Sequence, residues 1–346
     1  MLKAEFVRRD LKFIKPAGTS RGVLNDKPSW YLRISDGNQY GIGECSIIPG
    51  LSIDPIEQIE SKLQYICEHI NEVKNWNLKD KLSSFPALQF CVEMAFLDLK
   101  SSENHILYQT GFTKGTSSIQ INGLIWMGDK STMLTQIKEK LDLGFHCIKL
   151  KIGAIKWEEE RELLRFIRAH YSRTDVELRV DANGGFSPSQ APDILKELAA
   201  LDIHSIEQPI MACQLNEMTE LCKSTPIPIA LDEELIGLRS KEQKQNLLDT
   251  IQPQYIILKP SLLGGFAEAE EWISLAEERN IGWWTTSALE SNIGLSAIAQ
   301  WTATLNNVMP QGLGTGALFH NNLEAPLFLE GDQLFYGKGN WNLNLF

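Results

Sequence analysis

The stretch Cys147-Ile148-Lys149-Leu150-Lys151-Ile152 decides the fold, because it shows a pattern that other segments repeat. In each unit a short apolar run is followed by an amphipathic segment with helical spacing. Strands that alternate with helices predict βα units and a parallel sheet, and a series of this length is typical of a barrel of about 250 residues. The eight candidate strands are Ser118–Ile125, Cys147–Ile152, Val176–Asp181, Ile203–Glu207, Ile227–Asp232, Gln254–Lys259, Ile281–Thr286 and Met309–Thr315.

The first third of the chain is organised differently. Glu5–Ile14 and Trp30–Ile34 alternate like strands, and Ser35-Asp36-Gly37-Asn38 is a hairpin signal. Apolar residues at helical spacing follow in Pro55–Val73 and Ala87–Leu99. Strands followed by helices indicate an α+β unit. We therefore predict three regions: an α+β domain at 1–115, a barrel at 116–320 and a C-terminal segment at 321–346 that packs back on the first domain.

Composition excludes several classes of function. The 346 residues are 43% hydrophobic and 22% charged, an ordinary globular balance, and the net charge of −11 argues against nucleic acid as a partner. Met1–Phe6 does not resemble a signal peptide, and no apolar stretch approaches the roughly 18 residues of a membrane span. The six scattered cysteines form no CxxC pair, which indicates reduced thiols and no zinc site. We expect a cytoplasmic protein without a membrane partner, and the sequence leaves its oligomeric state open.

Five consecutive candidate strands end in ionisable residues. These ends read Ile148-Lys149-Leu150-Lys151, Val180-Asp181-Ala182-Asn183, Ile206-Glu207-Gln208-Pro209, Ala230-Leu231-Asp232-Glu233 and Ile257-Leu258-Lys259-Pro260. In a barrel such ends converge on the face where active sites are built. Three converging carboxylates would repel one another, and a hard divalent cation resolves this. All-oxygen ligation favours Mg²⁺ or Mn²⁺ over zinc.

The paired lysines indicate a general base. Lys149 and Lys151 share one face of their strand because side chains alternate. Neighbouring ammonium groups lower each other's pKa, and a lysine whose pKa approaches about 7–8 can accept a proton. Taken singly, a strand-end carboxylate often caps the next helix, and a strand-end lysine is usually solvated. The joint pattern on successive strands is what favours a catalytic site.

The same residues resemble the enolase superfamily, in its muconate-lactonising subgroup, over nearly the whole chain. Gly41-Ile42-Gly43-Glu44 and the helix ending in Leu97-Asp98-Leu99 are similar to that family's first domain. Lys259-Pro260-Ser261 with Gly264-Gly265 is similar to its barrel. The resemblance implies an α/β fold: a modified TIM barrel, (β/α)7β, with an N-terminal α+β capping domain that closes over the barrel mouth.

The resemblance also implies roles for the strand-end residues. The ligands of Mg²⁺, or alternatively of Mn²⁺, would be Asp181, Glu207 and Asp232. Lys151 would be the catalytic base and Lys259 the second catalytic lysine. Lys149 would orient the substrate carboxylate and tune Lys151. Asn183 and Glu233 would contact the ligands rather than the metal.

The segment after the seventh strand indicates the reaction. Ser287-Ala288-Leu289-Glu290-Ser291 looks like the Ser-x-x-Glu-Ser segment of o-succinylbenzoate synthases and their N-acylamino acid racemase relatives. Dipeptide epimerases carry Asp-x-Asp where this chain has Gly312-Leu313-Gly314-Thr315. Mandelate-racemase-like members need a histidine base that Ile281–Ser291 lacks. We assign substrate contact to Ser287, Glu290, Ser291, Ser20, Arg21, Gly50 and Gly312.

The resemblance therefore implies a metal-dependent hydro-lyase. Its small-molecule substrate would be a hydroxylated cyclohexadiene carboxylate with a succinyl chain, dehydrated by syn elimination in menaquinone biosynthesis. Lys151 would remove the α-proton, and Lys259 and the metal would stabilise the enediolate. Two rivals from the same superfamily stay open, N-acylamino acid racemisation and muconate cycloisomerisation. A Schiff-base aldolase using Lys259 would leave the three carboxylates unexplained, and a non-catalytic barrel would leave the intact ligand set unexplained.

Overall fold

The structure is a computed structural model that describes residues 1–19, 22–101, 103 and 105–346. Its N-terminal part combines an antiparallel sheet with helices. The strands are β1 (Lys3–Thr19), β2 (Gly22–Ser35) and β3 (Tyr40–Ser46). The helices are α1 (Ile59–Glu68), α2 (Ile70–Val73), α3 (Leu78–Lys81) and α4 (Pro86–Lys100). The predicted hairpin is confirmed, since Ser35 and Tyr40 pair across it. The predicted helix over 87–99 is confirmed as α4, and Pro86 begins it at a position where proline is favoured.

From residue 123 onward, strands alternate with helices. Seven parallel strands lie side by side in chain order. They are β5 (Gly123–Ile125), β6 (Cys147–Lys151), β7 (Glu177–Asp181), β8 (Ser205–Glu207), β9 (Ile229–Leu231), β10 (Tyr255–Leu258) and β11 (Gly282–Thr285). The helices are α5 (Lys130–Asp142), α6 (Trp157–His170), α7 (Ala191–Ala199), α8 (Leu215–Ser224), α9 (Lys241–Ile251), α10 (Pro260–Leu263), α11 (Phe266–Glu277) and α12 (Asn292–Thr302).

The predicted eighth strand closes this sheet into a barrel. Gln311 bridges Ile121 beside the first strand, and Gly312 bridges Thr286 beside the last, both in parallel. Gly312 N–H donates to the carbonyl oxygen of Thr285 at 2.8 Å, which bonds the closing segment to β11. The segment makes isolated bridges rather than a longer ladder, and it lies where the sequence predicts it. The fold is the predicted modified TIM barrel with an N-terminal capping domain.

The end of the chain contacts residues on both sides of the predicted boundary near residue 115. β12 (Leu327–Glu330) and β13 (Gln333–Tyr336) form a hairpin, and β13 pairs with β4 (Ile119–Gln120). Beyond the hairpin, the rings of Trp341 and His105 lie 5.4 Å apart. The ring contact involves the predicted first domain and the β4 pairing involves the predicted barrel, so the packing of the C-terminal segment and the region boundaries near 115 and 320 stay predictions. Among the described residues, no helix has both the length and the apolar character required to cross a bilayer.

The Gly-x-Gly-Glu stretch explains how the capping domain meets the barrel. A Cβ atom on Gly43 would lie 1.9 Å from the carbonyl oxygen of Cys91, so only glycine lets β3 lie this close to α4. Glu44 then reaches the barrel. It accepts hydrogen bonds from Ser291 N–H at 2.8 Å, from the Ser291 hydroxyl at 2.6 Å and from Gly294 N–H at 2.9 Å. A motif in the first domain thereby holds the start of α12.

Candidate active site

The strand ends come together because the parallel strands are in register. Lys151 pairs with Asp181, and Asp181 pairs with Glu207. Residues that end successive apolar runs therefore lie level at the carboxyl edge of the sheet. The predicted metal ligands and the three strand-end lysines are all buried there: Lys149, Lys151, Asp181, Glu207, Asp232 and Lys259.

Ammonium and carboxylate groups alternate across this edge. Asp181 Oδ2 lies 3.0 Å from both Lys149 Nζ and Lys151 Nζ. Lys149 Nζ also lies 2.7 Å from Glu207 Oε2, so it bridges two carboxylates on neighbouring strands. The positive and negative charges of the cluster balance, which is how so many ionised groups can be buried together.

The chain of charges continues to β9 and β10. Lys259 Nζ contacts Asp232 and lies 3.7 Å from Glu207 Oε1. Glu207 Oε1 is buried and accepts no hydrogen bond from any described residue. Among the described residues, only the ion pair with Lys259 Nζ at 3.7 Å engages this oxygen, which leaves it capacity to coordinate a cation.

Asn183 and Glu233 extend the network beyond the charged chain. Lys151 Nζ donates to Asn183 Oδ1 at 2.7 Å, and Asn183 Nδ2 donates to Glu233 Oε1 at 3.1 Å. Asn183 N–H also donates to Asp181 Oδ1 at 3.0 Å. The two residues thus orient Lys151 and Asp181, next to the predicted ligands.

The lysines differ in their electrostatic surroundings. Burial lowers the pKa of Lys151, and the ammonium group of Lys149 adds to this effect while Asp181 opposes it. Burial acts in the same direction on Lys149 and Lys259, but the carboxylates beside them outweigh it and raise the pKa of each. The sequence predicts that the two neighbouring lysines lower each other's pKa. The pKa of Lys151 is lowered, whereas the pKa of Lys149 is raised.

Three properties bear on whether a divalent cation fits. The donors are carboxylate oxygens on neighbouring strand ends, the type that Mg²⁺ prefers. Burial and the nearby Asp181 raise the pKa of Glu207 to about 7, although Lys149 and Lys259 act in the opposite direction. As they stand, the described residues contain no group of three or more His, Cys, Asp or Glu side chains that could hold a metal ion. Ammonium groups lie between the carboxylates, and they would have to shift for a cation to bind. The donor type and the Glu207 oxygen without a hydrogen bond suit a divalent cation, and the three-carboxylate ligand set stays a prediction.

A cavity of about 220 Å³ opens over this cluster. Its charged side comprises Lys149, Lys151, Asp181, Asn183 and Lys259. Its capping-domain side is nearly free of charge and comprises Gly22, Val23, Leu24, Ile48, Pro49 and Leu51. The Trp126 ring also lines it, with its centroid 5.8 Å from Lys151 Nζ. Sequence reasoning did not single out Trp126, Val23, Leu24 or Ile48, and the position of Trp126 directly after the first barrel strand was the available signal.

The predicted substrate-contact residues differ in their position relative to the cavity. Ser287 and Gly312 line the cavity, where Ser287 Oγ lies 2.6 Å from Thr315 Oγ1. Gly50 is exposed and does not line the cavity, although both of its neighbours do. Ser20 and Arg21 lie outside the described residues.

Glu290 and Ser291 lie behind the cavity wall. Both are fully buried, and neither is among the lining residues. The Glu290 carboxylate accepts hydrogen bonds from Ser261 Oγ and from Ala288 N–H, and the Ser291 hydroxyl donates to Glu44. Their polar atoms thus hold loops of the protein, and direct contact with substrate stays a prediction.

Comparison with known proteins identifies the family of this barrel. The sequence profile of the family described as Enolase C-terminal domain-like matches residues 132–332. Because that match covers more than half of the chain, the chain belongs to the enolase superfamily.

Comparison with individual proteins shows which members of the superfamily this chain is similar to. The chain is 48% identical to an o-succinylbenzoate synthase from Desulfotalea psychrophila, over 96% of this chain and 98% of that protein. A crystal structure of MenC from the same organism has a TM-score of 0.85 at 44% identity, covering 96% of this chain and 99% of that one. An N-succinylamino acid racemase from Amycolatopsis is 25% identical, over 95% of this chain and 90% of that protein.

Proposed function

We propose that this protein is a lyase that performs the o-succinylbenzoate synthase reaction, the dehydration of a succinyl-bearing hydroxy-cyclohexadiene carboxylate. One observation carries the proposal: 48% identity to an o-succinylbenzoate synthase along almost the full length of both chains. The cavity supports it, since three buried lysines and Asp181 line one end and apolar capping residues line the other, while Glu207 and Asp232 are buried beside these lysines. Menaquinone biosynthesis is the pathway we propose, and the cytoplasmic location stays a prediction.

We propose Mg²⁺, with Mn²⁺ as the alternative, held by Asp181, Glu207 and Asp232. Their burial on adjacent strand ends and the unused Glu207 oxygen support this assignment. When bound, the cation would supply Lewis-acid stabilisation of negative charge on the substrate carboxylate. The lysines and carboxylates of the cluster balance one another in charge. The positive charge that the cation adds would be balanced by a dianionic substrate.

Lys151 is the proposed base. It lines the cavity, and Asp181 and Asn183 fix its ammonium group through hydrogen bonds of 3.0 and 2.7 Å. In the neutral form it would accept the α-proton of the substrate. The same proton would then pass to the departing hydroxide, so that water leaves, the C–O bond breaks and the ring gains its last double bond. In a syn elimination the proton and the hydroxide leave from the same face of the ring, so a single group can accept the proton and then return it.

Lys259 is the proposed electrostatic partner. Its ammonium group lines the same cavity and is held by Asp232, and neighbouring carboxylates favour its charged form. A fixed positive charge would stabilise the enediolate that forms when the α-proton leaves. Lys149 would orient the substrate carboxylate from between Asp181 and Glu207. The charged state of Lys259 also disfavours the Schiff-base aldolase, which needs a neutral amine.

The test is assay of the purified protein with the synthase substrate, with Mg²⁺ and after exhaustive treatment with EDTA. We expect formation of the aromatic product with metal and none without it. Failure to form product with metal present would contradict the proposed reaction, and full activity after chelation would contradict the metal requirement.

Two matched variants test whether a buried carboxylate is a metal ligand or has only a structural role. Glu207→Gln should weaken Mg²⁺ binding measured by titration calorimetry, and activity should fall with it. Glu268→Gln is the control, because Glu268 is equally buried and lysine-paired but lies on α11, away from the cavity. Equal metal affinity in the two variants would remove Glu207 from the ligand set.

N-acylamino acid racemisation is the second candidate. The observation that favours it is that both Lys151 and Lys259 line the cavity, and a racemase needs two such groups around one carbon. The Amycolatopsis racemase match is consistent with this chemistry. Incubating N-succinylamino acids of one configuration with the enzyme in D₂O would test it, through loss of optical rotation and uptake of deuterium.

A further inference from the structure

The turn that follows Lys259 is held from the capping domain. Lys259 directly follows β10, and its carbonyl oxygen accepts hydrogen bonds from Leu262 N–H at 2.9 Å and Leu263 N–H at 3.1 Å. The carbonyl of Pro260 then accepts from Gly264 and Gly265, at 3.0 and 2.8 Å. The backbone of Lys259 is therefore tied through one helical turn, α10, to the Gly264-Gly265 pair.

Glu93 of the capping helix α4 holds the far end of that turn. Its Oε2 accepts from Phe266 N–H at 2.7 Å, and its Oε1 accepts from Ala267 N–H at 3.1 Å. These are the first amide groups of α11, which have no partners within their own helix. A single carboxylate from a different domain thus fixes the point where α10 ends and α11 begins.

The two glycines are required by this contact. Gly265 has φ +113°, and a Cβ atom there would lie 1.8 Å from Glu93 Oε2. Gly264 has φ +106°, and a Cβ atom there would lie 2.1 Å from Arg239 Nη1, which donates to the carbonyl of Leu263 at 2.6 Å. The Arg239 guanidinium also donates to Gln89 of α4. Side chains from α4, directly or through Arg239, therefore occupy the space that both missing side chains would fill.

We propose that Glu93 is a positioning residue for Lys259, through which the capping domain sets the place of the second catalytic lysine. The proposal rests on the proposed function for the role of Lys259, and its geometry is independent of that function. Catalytic groups act within fractions of an ångström, and a displacement of about 1 Å can reduce a rate about 100-fold. Loss of the Glu93 contact releases α10 at one end, and Lys259 begins that turn.

The experiment compares Glu93→Ala with Lys79→Met. Lys79 also joins the capping domain to α11, through Glu268 at 3.0 Å and Glu271 at 2.9 Å, but it does not touch the turn after Lys259. We expect Glu93→Ala to lower kcat about 10- to 100-fold, with KM little changed, and Lys79→Met to leave both near wild type. Glu93→Gln, which keeps the volume and one acceptor oxygen, should recover part of kcat. Equal kcat in Glu93→Ala and Lys79→Met would overturn the proposal.

Amide hydrogen exchange supplies a second measurement that needs no substrate. In Glu93→Ala, exchange of the amides over 262–267 should be faster than in wild type, and in Lys79→Met it should be unchanged. Unchanged exchange in Glu93→Ala would overturn the proposal, whether or not the wild-type protein dehydrates the synthase substrate. A wild-type protein without turnover would instead contradict the proposed function alone, because the exchange result does not depend on it.

Discussion

Within the described structure, buried lysines meet carboxylates both at the barrel mouth and between α9 and α11, and the two clusters differ in whether they have the form of an active site. At the barrel mouth, Lys149 and Lys151 share Asp181. Between α9 and α11, the fully buried Lys244 lies 2.7 Å from Glu268 and 2.6 Å from Glu271. Both clusters alternate charges at similar distances, so buried ion pairs do not by themselves indicate catalysis.

The difference lies in what surrounds the charges. The mouth cluster lines a cavity of about 220 Å³ and contains a carboxylate oxygen, Glu207 Oε1, without a hydrogen bond in the described structure. The Lys244 cluster is covered by Lys79 from the capping domain and by the Trp272 ring, whose centroid is 5.4 Å from Lys244 Nζ. A reactive site needs access for a ligand and groups that are not already satisfied, whereas a structural ion pair needs neither.

The largest expected effect is on catalysis at the mouth cluster. Lys151→Arg should abolish dehydration, a loss of about 10⁴-fold, because guanidinium cannot accept a proton at neutral pH. Lys259→Arg keeps the positive charge and should retain measurable dehydration. Exchange of the substrate α-proton with solvent deuterium should disappear in the Lys151 variant as well. Equal residual rates in the two arginine variants would reverse or remove the assigned roles.

The second effect is on stability, and it should be larger at the other cluster. Lys244→Met leaves Glu268 buried with less positive charge and should lower the free energy of unfolding by about 3 kcal/mol, measured by urea denaturation. Lys151→Met should cost much less, because Asp181 keeps its contact with Lys149. Dehydration by Lys244→Met should remain near wild type at temperatures where it is folded. A variant that is stable but inactive would mean that the two clusters are not separate in function.

The smallest expected effect concerns the cavity wall. Ser287→Ala removes the hydroxyl that lies 2.6 Å from Thr315 Oγ1, and it should raise KM about threefold with kcat unchanged. Glu290→Gln should act differently, since Glu290 holds Ser261 in the turn after Lys259 rather than lining the cavity. Steady-state kinetics distinguish the two. A change in KM alone for Glu290→Gln would favour the substrate contact predicted from the sequence.

Local sequence signals were sufficient for most of the barrel. Apolar runs of strand length with intervening helical spacing predict the strands β6 to β11 within a few residues, because strand and helix periodicity is a local property. The predicted strand Ser118–Ile125 is wrong as a single strand, because its first part is β4, which pairs with β13 in another sheet, and only its last part is β5 of the barrel. The position of the charged residues at the ends of these apolar runs is also a local property of the sequence. Asp181 and Glu207 each end an apolar run, and parallel register then brings them level.

The sequence by itself thus determined the barrel, the capping domain and the identity of the charged residues at the mouth. The tertiary structure alone decided how those residues differ, because burial and charge depend on groups brought from distant strands. Lys149 and Lys151 are alike in sequence, yet Lys149 contacts two carboxylates and Lys151 contacts one, so their pKa values shift in opposite directions. The same reason separates Ser287, which lines the cavity, from Glu290 three residues later, which is turned towards Ser261 behind it.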